Sequence, residues 1–165
     1  MKKQIHKIII TSMFASICFI TTIVIKIPSP LNGYINLGDV AVLLSAWFLS
    51  PYCAFYASGI GSALADAFSG YTVYIPATFA IKGVMAIVAY YIFKIANRKF
   101  GKILSCVISG AVAELIMIFG YYLFEGLLYG FGGSLLNLPA NFIQGGAGLI
   151  AGTLVFNIFD KTKKL

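Results

Sequence analysis

Charge is what this sequence has least of: 10% of its 165 residues are charged and 60% are hydrophobic, with a mean hydropathy of +0.93. That balance excludes a soluble core under a polar surface and describes an integral membrane protein. Histidine is nearly missing. The single one, His6, lies in a basic N-terminal leader, so Ser-His or Cys-His catalysis inside the membrane has no base. No Gly-x4-Gly-Lys-Ser/Thr loop occurs, so the chain cannot itself couple ATP hydrolysis. Its three cysteines, Cys18, Cys53 and Cys106, each sit inside an apolar run, without the spacing of a disulfide framework or a metal site. No cofactor is implied. The net charge of +7 is dispersed in short clusters between apolar runs, which suits membrane orientation and not nucleic acid.

What is present is a series of six apolar segments, over about 8–27, 39–49, 52–68, 76–96, 103–129 and 139–160. A run of about 20 residues is enough to cross a hydrocarbon core of roughly 30 Å. The pattern predicts one all-α membrane domain of six transmembrane helices over residues 1–165. A cleaved signal peptide is disfavoured, because Pro28-Ser29-Pro30 after the first run lacks a small-x-small site. Loops are expected at 28–38, 69–76 and the Gly-rich 130–138. Asp39 is a plausible N-cap for the short second helix, and Pro76 suits the first position of the fourth. Six spans put both termini on one side. Lys2, Lys3, Lys7, Lys94, Arg98, Lys99, Lys102, Lys161, Lys163 and Lys164 all fall on that side, which the positive-inside rule makes the cytoplasm.

In this topology Asp39, Asp66 and Glu125 lie near outer helix ends. Lys82 lies about 9 Å inside the fourth helix, and Glu114 about 16 Å from the cytoplasmic end of the fifth. Ionisable groups placed so are costly and usually functional. A pocket open to the outside follows. Helical spacing aligns Gly59, Ser62 and Asp66; Thr78 and Lys82; Gly110, Glu114, Tyr121 and Glu125; and Asn141, Gln144 and Gly148. Alternatives stay open at each site. Lys82 either meets a ligand or is neutralised by Glu114 or Asp66. Asn141 and Gln144 either read a ligand or bond between helices. Tyr34, Tyr71 and Tyr74 form either a lid over a flat ligand or an interfacial belt. Asp66 and Glu125 read as solvated or structural. On the first helix Ser12 and Ser16, with Ala15 beside them, would let another helix approach closely.

Four stretches carry a family resemblance: Asn36-Leu37-Gly38-Asp39; Gly59-x-Gly61-Ser62-x-Leu64-Ala65-Asp66; Gly70-Tyr71; and Tyr74-Ile75-Pro76-Ala77-Thr78-x3-Lys82-Gly83. Together with size, span count and topology, they resemble the S components of energy-coupling factor (ECF) vitamin importers, most nearly the riboflavin, pyridoxine and hydroxymethylpyrimidine branch. The resemblance implies a small subunit that captures a vitamin or precursor from outside. It also implies a transmembrane T component and two cytoplasmic ATPases as partners, and residence in a bacterial plasma membrane. Ser12 and Ser16 match the family's Ala-x3-Ala contact with the T component. The outer loops around 31–37 and 70–75 match the segments that gate the site in relatives.

The function expected is high-affinity capture of a small, flat, polar ring compound, pyridoxine or hydroxymethylpyrimidine ahead of riboflavin. Lys82, Thr78 and Asn36 would meet its oxygen or nitrogen substituents. Glu114 would pair with Lys82 or a ligand amine, Asn141 and Gln144 would read the ring edge, Tyr74 would stack, and Asp39 would join the site. Lys82→Ala is then expected to weaken binding without unfolding the bundle. A stand-alone facilitator or a ligand-free assembly subunit is the rival reading, and it requires a dry, sealed interior.

Overall fold

A computed structural model describes residues 2–29 and 33–162. Among the described residues five long helices and one short one form the bundle: α1 (Lys2–Val24), the short α2 (Gly38–Phe48), α3 (Pro51–Phe68), α4 (Ile75–Ala96), α5 (Lys102–Tyr129) and α7 (Leu138–Thr162), with a single-turn α6 (Phe131–Ser134) before the last. Helices dominate because only they satisfy their own backbone groups in lipid. Over 3–24, 72–96, 102–129 and 131–162 the chain is long and apolar enough to cross a membrane. At 18 residues α3 is long enough but not apolar enough for that set, and it turns Ser58, Gly59, Gly61, Ser62 and Asp66 inward. With its 11 residues, α2 rises only about 17 Å, so it cannot cross a bilayer by itself.

This short helix is the centre of the bundle. It packs against α1, α3, α4 and α7, and Ala41, Val42, Leu43 and Ala46 are fully buried. Trp47 donates from Nε1 to Ser109 Oγ at 3.0 Å and meets Phe156 edge-on at 5.5 Å between ring centroids. The break after it is a proline effect. Ser50 is extended, as the residue before proline must be, and Pro51 opens α3 at a position where a missing N–H costs nothing. Two glycines let backbones touch. A Cβ on Gly61 would stand 2.3 Å from the Ala15 carbonyl oxygen, and one on Gly59 would stand 2.8 Å from that of Phe79; α3 therefore lies flush on α1 and α4. Large apolar side chains such as Ile8, Met13, Leu127 and Leu154 are exposed, as a lipid-facing surface requires.

Several local expectations change. Asp39 is not an N-cap: α2 begins at Gly38, with Leu37 in the cap position and no side-chain cap bond. The Asp39 carboxylate is instead drawn inward to Lys82 and Gln144, while Asn36 Oδ1 accepts from the Gly38 N–H at 2.8 Å. Pro76 is the second residue of α4, after Ile75. The Gly-rich 130–138 stretch is not an open loop but α6 followed by a 3-10 turn at Leu135–Asn137. Inside the 28–38 loop is a two-stranded antiparallel hairpin, β1 (Ile27–Pro28) on β2 (Tyr34–Ile35). Pro30, Leu31 and Asn32 at its tip, part of the loop matched to a gating segment, lie outside the described residues, as do Lys163 and Lys164.

The α1–α2, α3–α4 and α5–α7 connections gather at one end. Lys26 donates to Ser69 Oγ at 2.8 Å, Tyr34 to Asp66 Oδ1 at 2.6 Å and Tyr74 to Glu125 Oε1 at 3.3 Å. The opposite end is tied by Lys102 to Asp160.

Candidate functional site

The site is built in two layers at the end where these connections meet. The lower layer is ionic. Lys82, from α4, pairs with Asp39 Oδ1, and the other oxygen, Oδ2, accepts from Gln144 Nε2 on α7 at 2.7 Å. Gln144 Oε1 then accepts from the Asn36 N–H at 3.0 Å and from its Nδ2 at 3.2 Å. Three helices and the approach to α2 are thereby joined through one carboxylate. The Lys82 ammonium also lies 5.6 Å from the centre of the Tyr121 ring, within cation–π range. Glu114 is buried in the same layer with no hydrogen-bond partner on either oxygen. Gly145 and Gly148 make the room for it: a Cβ on either would stand 3.2 or 3.0 Å from a Glu114 oxygen.

Above this layer is a narrow cavity of about 40 Å³ with an open mouth, bordered by residues from the 28–38 loop, from α3, α4, α5 and α7, and from the connections before α4 and α7. Asn36, Asn137, Asn141 and Gln144 present amides, and Tyr34, Tyr71, Tyr74 and Tyr121 present aromatic rings with hydroxyl tips. Thr78 and Tyr121 share a hydrogen bond of 3.0 Å. Asp66 and Glu125 are the two carboxylates on the border, and no lysine or arginine is among the described bordering residues. Tyr34 stacks obliquely on Tyr71 at 4.8 Å while its hydroxyl holds Asp66. Burial, with the Asp66 carboxylate second, pushes the Tyr34 hydroxyl above its ordinary range, so it stays a donor at neutral pH. A flat ring with hydrogen-bonding edges suits such a lining, since aromatic faces and a few convergent polar groups are what small-ligand sites share.

Residues 2–161 match the model of a family described as the ECF-type riboflavin transporter, S component. The chain belongs to this S component family. It is also 33% identical over 134 residues to an uncharacterized protein in the gap 3' region of Pyrococcus woesei, covering 81% of this chain and 87% of that one. A solved structure of the S component of a bacterial ECF transporter shares the fold, with a TM-score of 0.76 at 24% identity over 98% of this chain and 99% of the other. The protein is thus a multi-pass membrane subunit of a transporter.

This S component divides the residues expected at its site between the two layers. Asn36, Tyr74, Thr78, Asn141 and Gln144 border the cavity, whereas Asp39, Lys82 and Glu114 do not and lie beneath it. Lys82 takes neither Glu114 nor Asp66 as its partner but Asp39. The cavity also recruits Asp66 and Glu125, which the sequence made solvated or structural, and Asn137, which it did not single out at all. Asn137 lies four residues before Asn141, on the same face, but in a Gly-rich stretch read as loop. Its Nδ2 donates to Glu125 Oε1 at 2.8 Å.

On the far side of α1, Ser12 and Ser16 are exposed and Ala15 is half-buried. Ala15 and Ser16 floor a shallow apolar groove with Phe19, Leu64, Ala67 and Phe68. Ser12 borders a second groove, nearer the N-terminus, with Ile8, Tyr52 and Tyr56.

Proposed function

We propose that this S component captures riboflavin from outside the cell. The observation that carries the reading is the cavity's border, with four amides, four tyrosines and two carboxylates but no fixed cation among its described residues. Such a border suits a flat heterocycle that carries no negative charge and whose edge alternates donors and acceptors. Asn36, Asn141 and Gln144 would read that edge, and Tyr74 and Tyr121 would flank the ring. The description of the family agrees. The ionic layer would act as a rigid floor, with Lys82, Asp39 and Glu114 supporting the amides from below. The family's description puts riboflavin ahead of pyridoxine and hydroxymethylpyrimidine.

Transport would need a T component and two ATPases, because the chain has no nucleotide-binding loop of its own. The grooves around Ser12, Ala15 and Ser16 are the surface we assign to the T component. A ligand-free assembly role fits poorly, since it calls for a dry, sealed interior and this cavity is open and polar.

The test is native mass spectrometry of detergent-purified protein, followed by titration with riboflavin, pyridoxine and hydroxymethylpyrimidine. A flavin carried through purification, with fluorescence quenched at one site per chain, is the expected result. Saturable binding of a smaller ring with none of riboflavin would replace the proposed ligand. Binding of none of the three by folded protein would move the reading to the assembly subunit.

A further inference from the structure

Six buried side-chain atoms among the described residues have no hydrogen-bond partner: Ser62 Oγ, both Glu114 oxygens, Glu125 Oε2, Asn141 Nδ2 and Thr153 Oγ1. Two of these, Glu125 Oε2 and Asn141 Nδ2, belong to residues that border the cavity. Buried polar atoms are rarely left so, because an unmet donor or acceptor keeps its full desolvation penalty. The pair is complementary in kind. Asn141 lacks an acceptor and Glu125 lacks a donor, so a ligand that satisfies both must bring an acceptor to one and an O–H or N–H to the other.

Glu125 has a further peculiarity. Only 3% of it is exposed, and its Oε1 is held by two neutral donors, Asn137 Nδ2 at 2.8 Å and the Tyr74 hydroxyl at 3.3 Å. The nearby cations are committed elsewhere. Lys82 is paired with Asp39, and Lys26 is bonded to Ser69 beside the Tyr34 ring. The second bordering carboxylate, Asp66, faces the Tyr34 hydroxyl. Among the described residues no cation acts on Glu125, whereas Lys82 and Lys26 partly offset Asp66, so Glu125 carries the uncompensated negative character on the border.

We propose that Glu125 is a specificity-determining residue of the ligand site: its Oε2 accepts a hydroxyl of the ligand's side chain, and the two bordering carboxylates discriminate against a phosphorylated ligand. The inference rests on the flavin reading and deepens it, assigning the ring to the amides and the polyol chain to the acidic border. A neutral hydroxyl satisfies Oε2, whereas a phosphate monoester brings a charge of about −1.5 to −2 at neutral pH next to the Glu125 carboxylate, which no cation among the described residues offsets. Asn137 and Tyr74 act as positioning residues that hold the carboxylate through Oε1.

Three probes separate the outcomes: riboflavin, its 5'-phosphate, and lumichrome, which keeps the ring and lacks the polyol chain. Each is titrated by fluorescence against wild-type protein and Glu125→Gln. Wild-type protein is expected to bind riboflavin at least about tenfold more tightly than the 5'-phosphate, and Glu125→Gln to lose about tenfold or more in riboflavin affinity, the scale of a hydrogen bond to a charged group. Lumichrome affinity is expected to stay within about twofold, and the riboflavin-to-phosphate ratio to narrow in the variant. Equal wild-type affinity for riboflavin and its phosphate would overturn the proposal without any variant. An unchanged riboflavin affinity in Glu125→Gln, or an equal loss for lumichrome, would overturn it too, the latter by showing a purely structural carboxylate. Wild-type protein that binds neither riboflavin nor lumichrome would instead overturn the flavin reading itself.

Discussion

Lys82 and Asp39, forty-three residues apart in the chain, form an ion pair whose side chains are 3% and 0% exposed. The contact joins α4 to the first turn of the short central helix, and Gln144 closes it from α7. The pair therefore holds the bundle's middle together beneath the ligand cavity.

Removing one partner of such a pair should cost far more than removing both. Lys82→Ala leaves a buried carboxylate uncompensated, with an expected loss of roughly 3–5 kcal/mol, read as a large drop in thermal midpoint in detergent. The double variant Lys82→Met with Asp39→Leu should recover much of that loss. This replaces the sequence-based expectation that Lys82→Ala would weaken binding alone. A Lys82→Ala protein as stable as wild type, with weaker ligand binding, would restore Lys82 to direct ligand contact.

Two neighbouring glycines offer a comparison on one helix. A Cβ on Gly148 would stand 2.7 Å from Asp39 Cβ and 3.0 Å from Glu114 Oε1, whereas one on Gly146 meets nothing within 4 Å. Gly148→Ala should therefore cost about 1–3 kcal/mol as α7 is pushed off the ionic layer. Gly146→Ala should be neutral or gain up to about 1 kcal/mol through helix propensity. Thermal unfolding of the two variants side by side checks both. Equal midpoints would mean that α7 does not press on Asp39.

Tyr34 ties the β1–β2 hairpin to α3 through Asp66 at 2.6 Å. Tyr34→Phe removes the tie and leaves the ring, so ligand release should quicken by about fivefold, the worth of one ordinary hydrogen bond, in a stopped-flow displacement experiment. The pH dependence has a definite sign. Because the folded state raises the pKa of the hydroxyl, its contribution is intact below the unfolded value of about 10 and is lost as the pH rises above it toward the folded value. Release rates should thus stay flat through neutral and mildly alkaline pH. A rise already near pH 8 would assign the control to another group.

The grooves on α1 predict a separable phenotype. Leucine at both Ser12 and Ser16 fills the shallow floor that small side chains keep open. Co-purification with the T component and ATPases should be lost, while ligand affinity in the isolated subunit stays unchanged. Loss of ligand binding instead would place this surface in the fold of the site.

The membrane class and the order of the helices were legible because they depend on composition and local period alone. Proline and glycine marked most breaks, at Pro51, Pro76 and Gly130, since their backbone limits act wherever they stand. The hairpin at β1 and β2 was not legible, because two residues per strand carry no periodic signal. Nor was α6, since Gly132 and Gly133 inside it argue for loop by propensity while packing of Phe131 against Gly126 holds the turn.

Residue type likewise pointed to the end of the bundle where the site lies, because ionisable side chains in apolar runs are costly and collect where they can be satisfied. Which of them pair was decided only by the fold. Asp66 and Glu114 were the partners the sequence offered Lys82, and Asp39 was not among them, because spacing says nothing of how far each helix turns about its axis or slides past its neighbours. Those rotations follow from flush contacts at Gly59, Gly61 and Gly148, made between residues distant in the chain. They bring Lys82 to Asp39, leave both Glu114 oxygens unpartnered, and place Glu125 on the border of the cavity.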